Sequence, residues 1–209
     1  MDLISTKALA EDQKIIAITK SEGSISKNFI DKIEEHHSKL IVVKTSKIIK
    51  SDSKILSEIF NLIANLSTGY IIFLSSNAVE IFFEIAATLN VVNEIVHYLN
   101  SKFNVVAIGP STQTSLKKYR IAVKEIPNDH SSTGIIDFFS QMKNNTYPAE
   151  IIIPRSKKAD KYLKKKLVEL GFVVHEFYIY TVIPAGVDSL WIEFFDLLQK
   201  KKIDSLIFT

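Results

Sequence analysis

The run YIIFLSSNAVEIFFEIAATL, residues 70–89, decides the fold. Its opening stretch, Tyr70 to Leu74, is continuously apolar and too short for a typical helix. It reads as a strand buried on both faces. Ser75, Ser76 and Asn77 are residue types that start helices by accepting free backbone N–H groups. From there to Leu89 the pattern predicts a helix, over residues 77–89.

The same alternation extends in both directions. Ile/Val/Phe-rich runs at 14–19, 39–43, 104–108, 122–126, 150–153, 172–180 and 203–209 read as further strands. Between them lie helical patterns at 26–37, 52–66, 92–102, 111–119, 132–143, 157–170 and 189–201. Strand–helix alternation of this kind predicts parallel sheets with helices on both faces. Two segments depart from it. Residues 45–51 are polar and lysine-bearing, and residues 181–187 contain Pro184 and Gly186. Both read as extended crossings between domains. If they run side by side, a central block, 51–180, is inserted into an outer domain built from 1–46 plus 185–209.

Composition narrows the function classes. The chain has 209 residues, 46% hydrophobic and 23% charged, an ordinary globular balance. With no cysteine it can form neither disulfides nor thiolate metal sites, which suits a reducing cytoplasm. No signal peptide is legible in the first residues, and no apolar run approaches the ~20 residues of a membrane helix. A net charge of +3 falls short of the basic stripe expected of a nucleic-acid protein. One lysine cluster, Lys157, Lys158, Lys161, Lys164, Lys165 and Lys166, reads as a solvated helix face or as an attractor of an anionic ligand.

In open parallel sheets, ligands bind outside the carboxyl ends of the strands. This sequence repeatedly places small polar residues there: Ser75-Ser76-Asn77, Gly109-Pro110-Ser111-Thr112, Ser131-Ser132-Thr133-Gly134, Arg155-Ser156 and Thr19-Lys20. Any one such loop is what helix capping alone requires. Their convergence on one edge points further, because helix N-termini are anion sites worth roughly 0.3–1 kcal/mol each. Together they could hold a polycarboxylate or a phosphate. Phosphate-loop glycines, the GxGxxG, GxSxG and HExxH patterns, and metal-ligand spacing among His36, His37, His97, His130 and His175 are all missing. No cofactor and no metal are expected.

The ordered set of loops resembles the uroporphyrinogen-III synthase family. Phe73-Leu74-Ser75-Ser76-Asn77-Ala78-Val79 is similar to that family's F-T-S-x-N-A-V, and Val106 to Thr112 to its V-A-x-V-G-x-x-T. Ser131-Ser132-Thr133-Gly134 resembles the stretch ahead of the next helix. Ile152-Ile153-Pro154-Arg155-Ser156, with Leu163, Leu167 and Gly171, resembles L-x-P-R-G…L…L…G. Tyr178-Ile179-Tyr180-Thr181 resembles V-Y-x-T, and Thr19-Lys20 falls where the family has T-R. Leu74, Lys20 and Ser156 are departures from the usual Thr, Arg and Gly.

The resemblance implies two flavodoxin-like α/β domains joined by two extended crossings, with the substrate in the cleft between them. That substrate would be hydroxymethylbilane, closed with inversion of its last ring to uroporphyrinogen III and water. Tyr180 would be the catalytic residue, a general acid toward the departing hydroxyl. Thr19, Lys20, Ser75, Ser76, Asn77, Gly109, Ser111, Thr112, Ser132, Thr133, Arg155 and Ser156 would bind substrate. Tyr178, two positions from Tyr180 on the same strand face, competes for the catalytic role. The protein would be a cytoplasmic monomer acting on a small molecule, with no nucleic acid or membrane partner. Because such a family chain continues past a strand like 203–209, the outer domain is expected to be truncated at its C-terminus. The alternative readings are a non-catalytic anion- or tetrapyrrole-binding module on the same fold, or a sugar-phosphate-binding flavodoxin-like protein.

Overall fold

A computed structural model describes residues 13–21, 25–142 and 150–208. Lys143 and Thr209, assigned from sequence to a helix and a strand end, lie outside the described residues. In chain order the elements are β1 (Ile15–Ser21), α1 (Lys27–Glu35), β2 (Lys39–Lys50), α2 (Ser53–Asn65), β3 (Gly69–Phe73), α3 (Ser76–Thr88), α4 (Val92–Ser101) and β4 (Phe103–Ala107). There follow α5 (Pro110–Lys118), β5 (Val123–Glu125), α6 (Ser132–Gln141), β6 (Glu150–Ser156), α7 (Tyr162–Glu169), β7 (Val173–Pro184), α8 (Ser189–Gln199) and β8 (Ser205–Phe208). The α/β alternation read from hydrophobic patterning is therefore the observed one.

The chain divides into two compact units, Met1–Ile48 with Ile183–Thr209, and Ile49–Val182. In the Ile49–Val182 unit the strands run β5-β4-β3-β6-β7, and each adjacent pair is parallel. β3 and β4 pair in register from Gly69↔Phe103 to Phe73↔Ala107. Ile72, Val106, Ile151 and Ile153 pack with Ile135 and Phe139 of α6 and Leu163 and Leu167 of α7, all fully buried. α3 buries its apolar stripe among α2, α4 and α5, where Phe82 meets Phe73 edge-on with ring centres 5.4 Å apart. Burying each such phenylalanine stabilises the unit by about 1.5–3 kcal/mol. Parallel strands buried on both faces must read as continuous apolar runs, which is why residues 70–74 are recognisable.

In the other unit β1 lies between β2 and β8, again all parallel. Ile15, Ala17, Ile41 and Val43 pack against Phe194 and Leu197 of α8. The Asp204 carboxylate accepts the Ile15 N–H at 2.7 Å, and Lys39 pairs with Glu193 at 2.6 Å.

Two differences from the sequence reading concern strand length. Residues 45–51 and 181–187, expected as extended crossings beyond the strands, are largely strand: β2 continues to Lys50 and β7 to Pro184. They carry main-chain pairing that their polar side chains do not advertise. The Ala185 N–H donates to the Thr45 carbonyl at 3.1 Å, and the Ser51 N–H to the Ile179 carbonyl at 2.9 Å. β6 likewise runs through Pro154 to Ser156 instead of stopping at Ile153. Pro154 is tolerated because β3 pairs with β6 only at Ile151 and Ile152, so no N–H is required of residue 154 on that side.

Candidate functional site

Because β3, β4, β6 and β7 are parallel, their carboxyl ends share one edge, and the helices that follow β3, β4 and β6 begin there. Ser75, extended at φ −168°, N-caps α3 and accepts the Ala78 N–H at 3.1 Å. Gly109, also extended, precedes α5 with Pro110 in its first turn, and no side chain caps this helix. The first N–H groups of a helix lack intrahelical acceptors. At α5 no side chain caps them, and no acidic residue in the first turn would repel an anion. The Ser76 and Ser111 hydroxyls hydrogen-bond at 2.8 Å, so the beginnings of α3 and α5 meet. Asn77 and Ser111 are exposed, Ser76 is half-buried, and Thr112 is buried.

Gly109 is there for packing. A Cβ at this position would lie 3.1 Å from the His130 ring, so the loop before α6 rests directly on the start of α5. In that loop the cap is Ser131, which accepts from the Thr133 and Gly134 N–H groups at 3.2 and 3.3 Å and donates to Asp129 at 2.6 Å. Ser132 and Thr133, the residues singled out from sequence, follow the cap; Ser132 is half-buried and Thr133 exposed. A Cβ on Gly134 would come within 1.9 Å of the Asp129 carbonyl, so only glycine closes this turn.

The tyrosines separate at a β-bulge. Arg155 pairs with Tyr178 but Ser156 pairs with Tyr180, so β7 has one extra residue opposite that step. Such bulges re-aim side chains. The Ser51 N–H donates to Ile179, and the Ser51 hydroxyl donates to the Tyr178 carbonyl at 2.7 Å, holding the bulged segment from the start of α2. Beyond the bulge the Tyr180 phenol, 7% exposed, lies 3.3 Å from the Ser75 hydroxyl. Before it the Tyr178 phenol donates to Glu176 at 3.3 Å. Burial, then the Glu176 charge and hydrogen bond, raise the Tyr178 phenol above its ordinary value.

Arg155, expected from sequence to contact substrate, is held within the Ile49–Val182 unit by a partner on the adjacent strand. It is 6% exposed, and its Nη1 donates to Glu176 at 2.6 Å, so its charge is neutralised inside the sheet. Its Nε is buried without a hydrogen-bond partner. Sequence could not show this, because Glu176 lies on another strand amid a run otherwise read as plain β-structure. Ser156 ends β6, and its hydroxyl accepts the Lys158 N–H at 3.3 Å. In the other unit Thr19 and Lys20 lie near the end of β1, just before Ser21, opposite Val43 and Lys44; Thr19 is buried. Among the described residues no group of three or more His, Asp or Glu side chains could hold a metal ion, and no helix is long and apolar enough to cross a membrane.

Residues 27–209 match the family model of uroporphyrinogen-III synthase HemD. Similar solved structures include a mutant uroporphyrinogen III synthase from Thermus thermophilus, with a TM-score of 0.61 at 14% identity over 92% of this chain and 72% of that one. The wild-type enzyme from the same bacterium superposes with a TM-score of 0.53 at 14% identity, over 92% and 71%. Uroporphyrinogen-III synthetase from Helicobacter pylori gives 0.50 at 14% identity, over 85% and 65%. At such identity the structural likeness establishes the α/β fold. The family follows from the sequence match over most of the chain: this protein belongs to the uroporphyrinogen-III synthase family.

Proposed function

We propose that the strand edge of the Ile49–Val182 unit binds hydroxymethylbilane by its acetate and propionate groups and closes it to uroporphyrinogen III with loss of water. The observation that carries this reading is the meeting of two helix N-termini, at Ser76 and Ser111, on the edge that also bears the Tyr180–Ser75 pair. Carboxylates suit helix N-termini through both hydrogen bonding and the helix dipole, and α5 begins without a side-chain cap. Ser75, Ser76, Asn77, Gly109, Ser111, Thr112, Ser132, Thr133 and Ser156 form the contact set on this unit. Thr19 and Lys20 belong to it on the strength of the sequence resemblance. Arg155, already paired, supports the strand instead of the ligand.

In this reaction the hydroxymethyl oxygen departs as water, leaving an electrophilic azafulvene on the first ring. The last ring then attacks through its substituted carbon to give a spiro intermediate. The bond from that carbon to its original bridge breaks, and the ring rejoins that bridge through its unsubstituted α-carbon, which loses its proton, so that the ring is inverted. The Tyr180 phenol acts as general acid toward the departing hydroxyl, with the Ser75 hydroxyl orienting it. Closure without inversion competes in solution, so the protein's main task is steering. Each tenfold preference requires only ~1.4 kcal/mol between barriers, which several weak contacts supply by positioning.

The reading includes two flavodoxin-like domains, one inserted into the other through the β2 and β7 crossings, and a cytoplasmic monomer acting on a small molecule. Incubation with freshly made hydroxymethylbilane after metal chelation, resolving type I from type III product, tests it. Type III product is expected; exclusive type I product overturns it.

A further inference from the structure

The serine contact at the proposed site is the first rung of a longer seam between α3 and α5. On α3, Ser76, Glu80 and Phe83 recur at helical spacing along one face; on α5 and its cap, Ser111, Ser115, Lys118 and Tyr119 do the same. Ser76 meets Ser111 at 2.8 Å. One turn on, the two oxygens of Glu80 are divided between neighbours: Oε1 accepts from Lys118 Nζ and Oε2 from the Tyr119 hydroxyl, both at 2.8 Å. Below it the Phe83 and Tyr119 rings stack, 4.0 Å between centres and 9° from parallel.

Sheet packing alone leaves two parallel helices free to slide slightly along each other. A carboxylate held by two donors at the end of the neighbouring helix removes that freedom. The Lys118 contact is exposed and contributes little. The half-buried, charge-assisted bond from Tyr119, braced by the ring stack, is the stronger constraint. We infer that Glu80, held by Tyr119, is a positioning residue that fixes the spacing of the α3 and α5 N-termini, and through them the fit of the substrate carboxylates. This rests on the proposed binding of those carboxylates at Ser76 and Ser111.

Tyr119→Phe, Glu80→Gln, Glu80→Ala, Lys118→Met and Ser111→Asp are compared for KM, kcat, type III to type I ratio and thermal melting. Tyr119→Phe keeps the ring stack and is expected to fold, with KM raised about five- to tenfold, kcat little changed, and more type I product. Glu80→Gln, which keeps an acceptor for Tyr119, is expected to lose less than Glu80→Ala, and Lys118→Met to resemble wild type. A purely structural role would lower the melting temperature without moving KM or the isomer ratio of the folded enzyme. If KM and isomer ratio of Tyr119→Phe and Glu80→Ala match wild type while Ser111→Asp raises KM, the seam does not position the site and the inference is overturned. If Ser111→Asp also leaves KM unchanged, the binding reading itself falls and takes this inference with it.

Discussion

The Tyr180 phenol oxygen lies 3.3 Å from the Ser75 hydroxyl, which at the same time accepts the Ala78 N–H that opens α3. One serine thus links a strand-end tyrosine to a helix N-terminus.

Removing only the phenol oxygen tests the proposed general acid while keeping the buried ring of Tyr180 in place. Tyr180→Phe is expected to fold like wild type and to lower kcat about a hundredfold, the low end for a lost general acid. Tyr178→Phe, whose hydroxyl serves Glu176, is expected to keep most activity. Steady-state turnover of hydroxymethylbilane, with circular dichroism as the folding control, decides the matter. A normal Tyr180→Phe beside a crippled Tyr178→Phe would assign the reaction to the other tyrosine.

Backbone groups dominate the proposed carboxylate contacts, so deleting one hydroxyl is mild and adding a charge is not. Ser75→Ala loses an N-cap and is expected to cost about 1 kcal/mol of stability. Thr112→Ala is expected to weaken binding by about 1 kcal/mol. Ser111→Asp and Ser132→Asp set a negative charge against substrate carboxylates and should raise KM further. KM values unchanged in both aspartate variants would show that these loops do not face the ligand.

Arg155 and Glu176 form a buried ion pair, with side chains 6% and 3% exposed. Breaking such a pair leaves one buried charge uncompensated and costs about 3–5 kcal/mol. Arg155→Met alone should lower the denaturation midpoint strongly, whereas Arg155→Met with Glu176→Leu should recover much of the loss. Equal destabilisation in single and double variants would contradict this account.

The Glu80–Tyr119 pair carries a pH signature. Burial alone would raise the Glu80 carboxyl, but bonds from Lys118 and Tyr119 and the Lys118 charge outweigh it and hold it below the ordinary carboxylate value. Unfolded Glu80 therefore binds a proton more readily than folded Glu80. Its stabilisation is present above the ordinary value and is lost as pH falls through the lowered one. Burial and the Glu80 carboxylate push the Tyr119 phenol up to about 12, so its contribution is lost as pH rises from 10 toward 12. Thermal melts should fall less steeply in acid for Glu80→Gln than for wild type. Identical slopes would remove Glu80 from the acid limb.

Hydrophobic patterning by itself determined the alternation of strands and helices, because a strand covered on both faces must be apolar throughout, as Tyr70 to Leu74 and Ile151 to Ile153 are. Local chemistry also marked Ser75-Ser76-Asn77 and Ser131-Ser132 as helix starts, since a cap bonds N–H groups only two or three residues away, and the structure puts the caps at Ser75 and Ser131. The order of loop motifs, from Phe73-Leu74-Ser75 to Tyr178-Ile179-Tyr180, was enough to name the family. What depends on partners distant in sequence was decided only in three dimensions. The Glu176 partner of Arg155 became visible only when β7 was placed beside β6. Tyr178 and Tyr180 were equivalent in a regular strand, and the bulge opposite Arg155–Ser156 sent them to different partners. The continuation of β2 and β7 through their polar residues rests on main-chain bonds such as Ser51 to Ile179, to which side-chain hydropathy is blind. Capping and periodicity act over a turn of chain and are written in neighbouring residues; charge neutralisation, strand register and helix spacing are set by groups that meet only when the sheet closes.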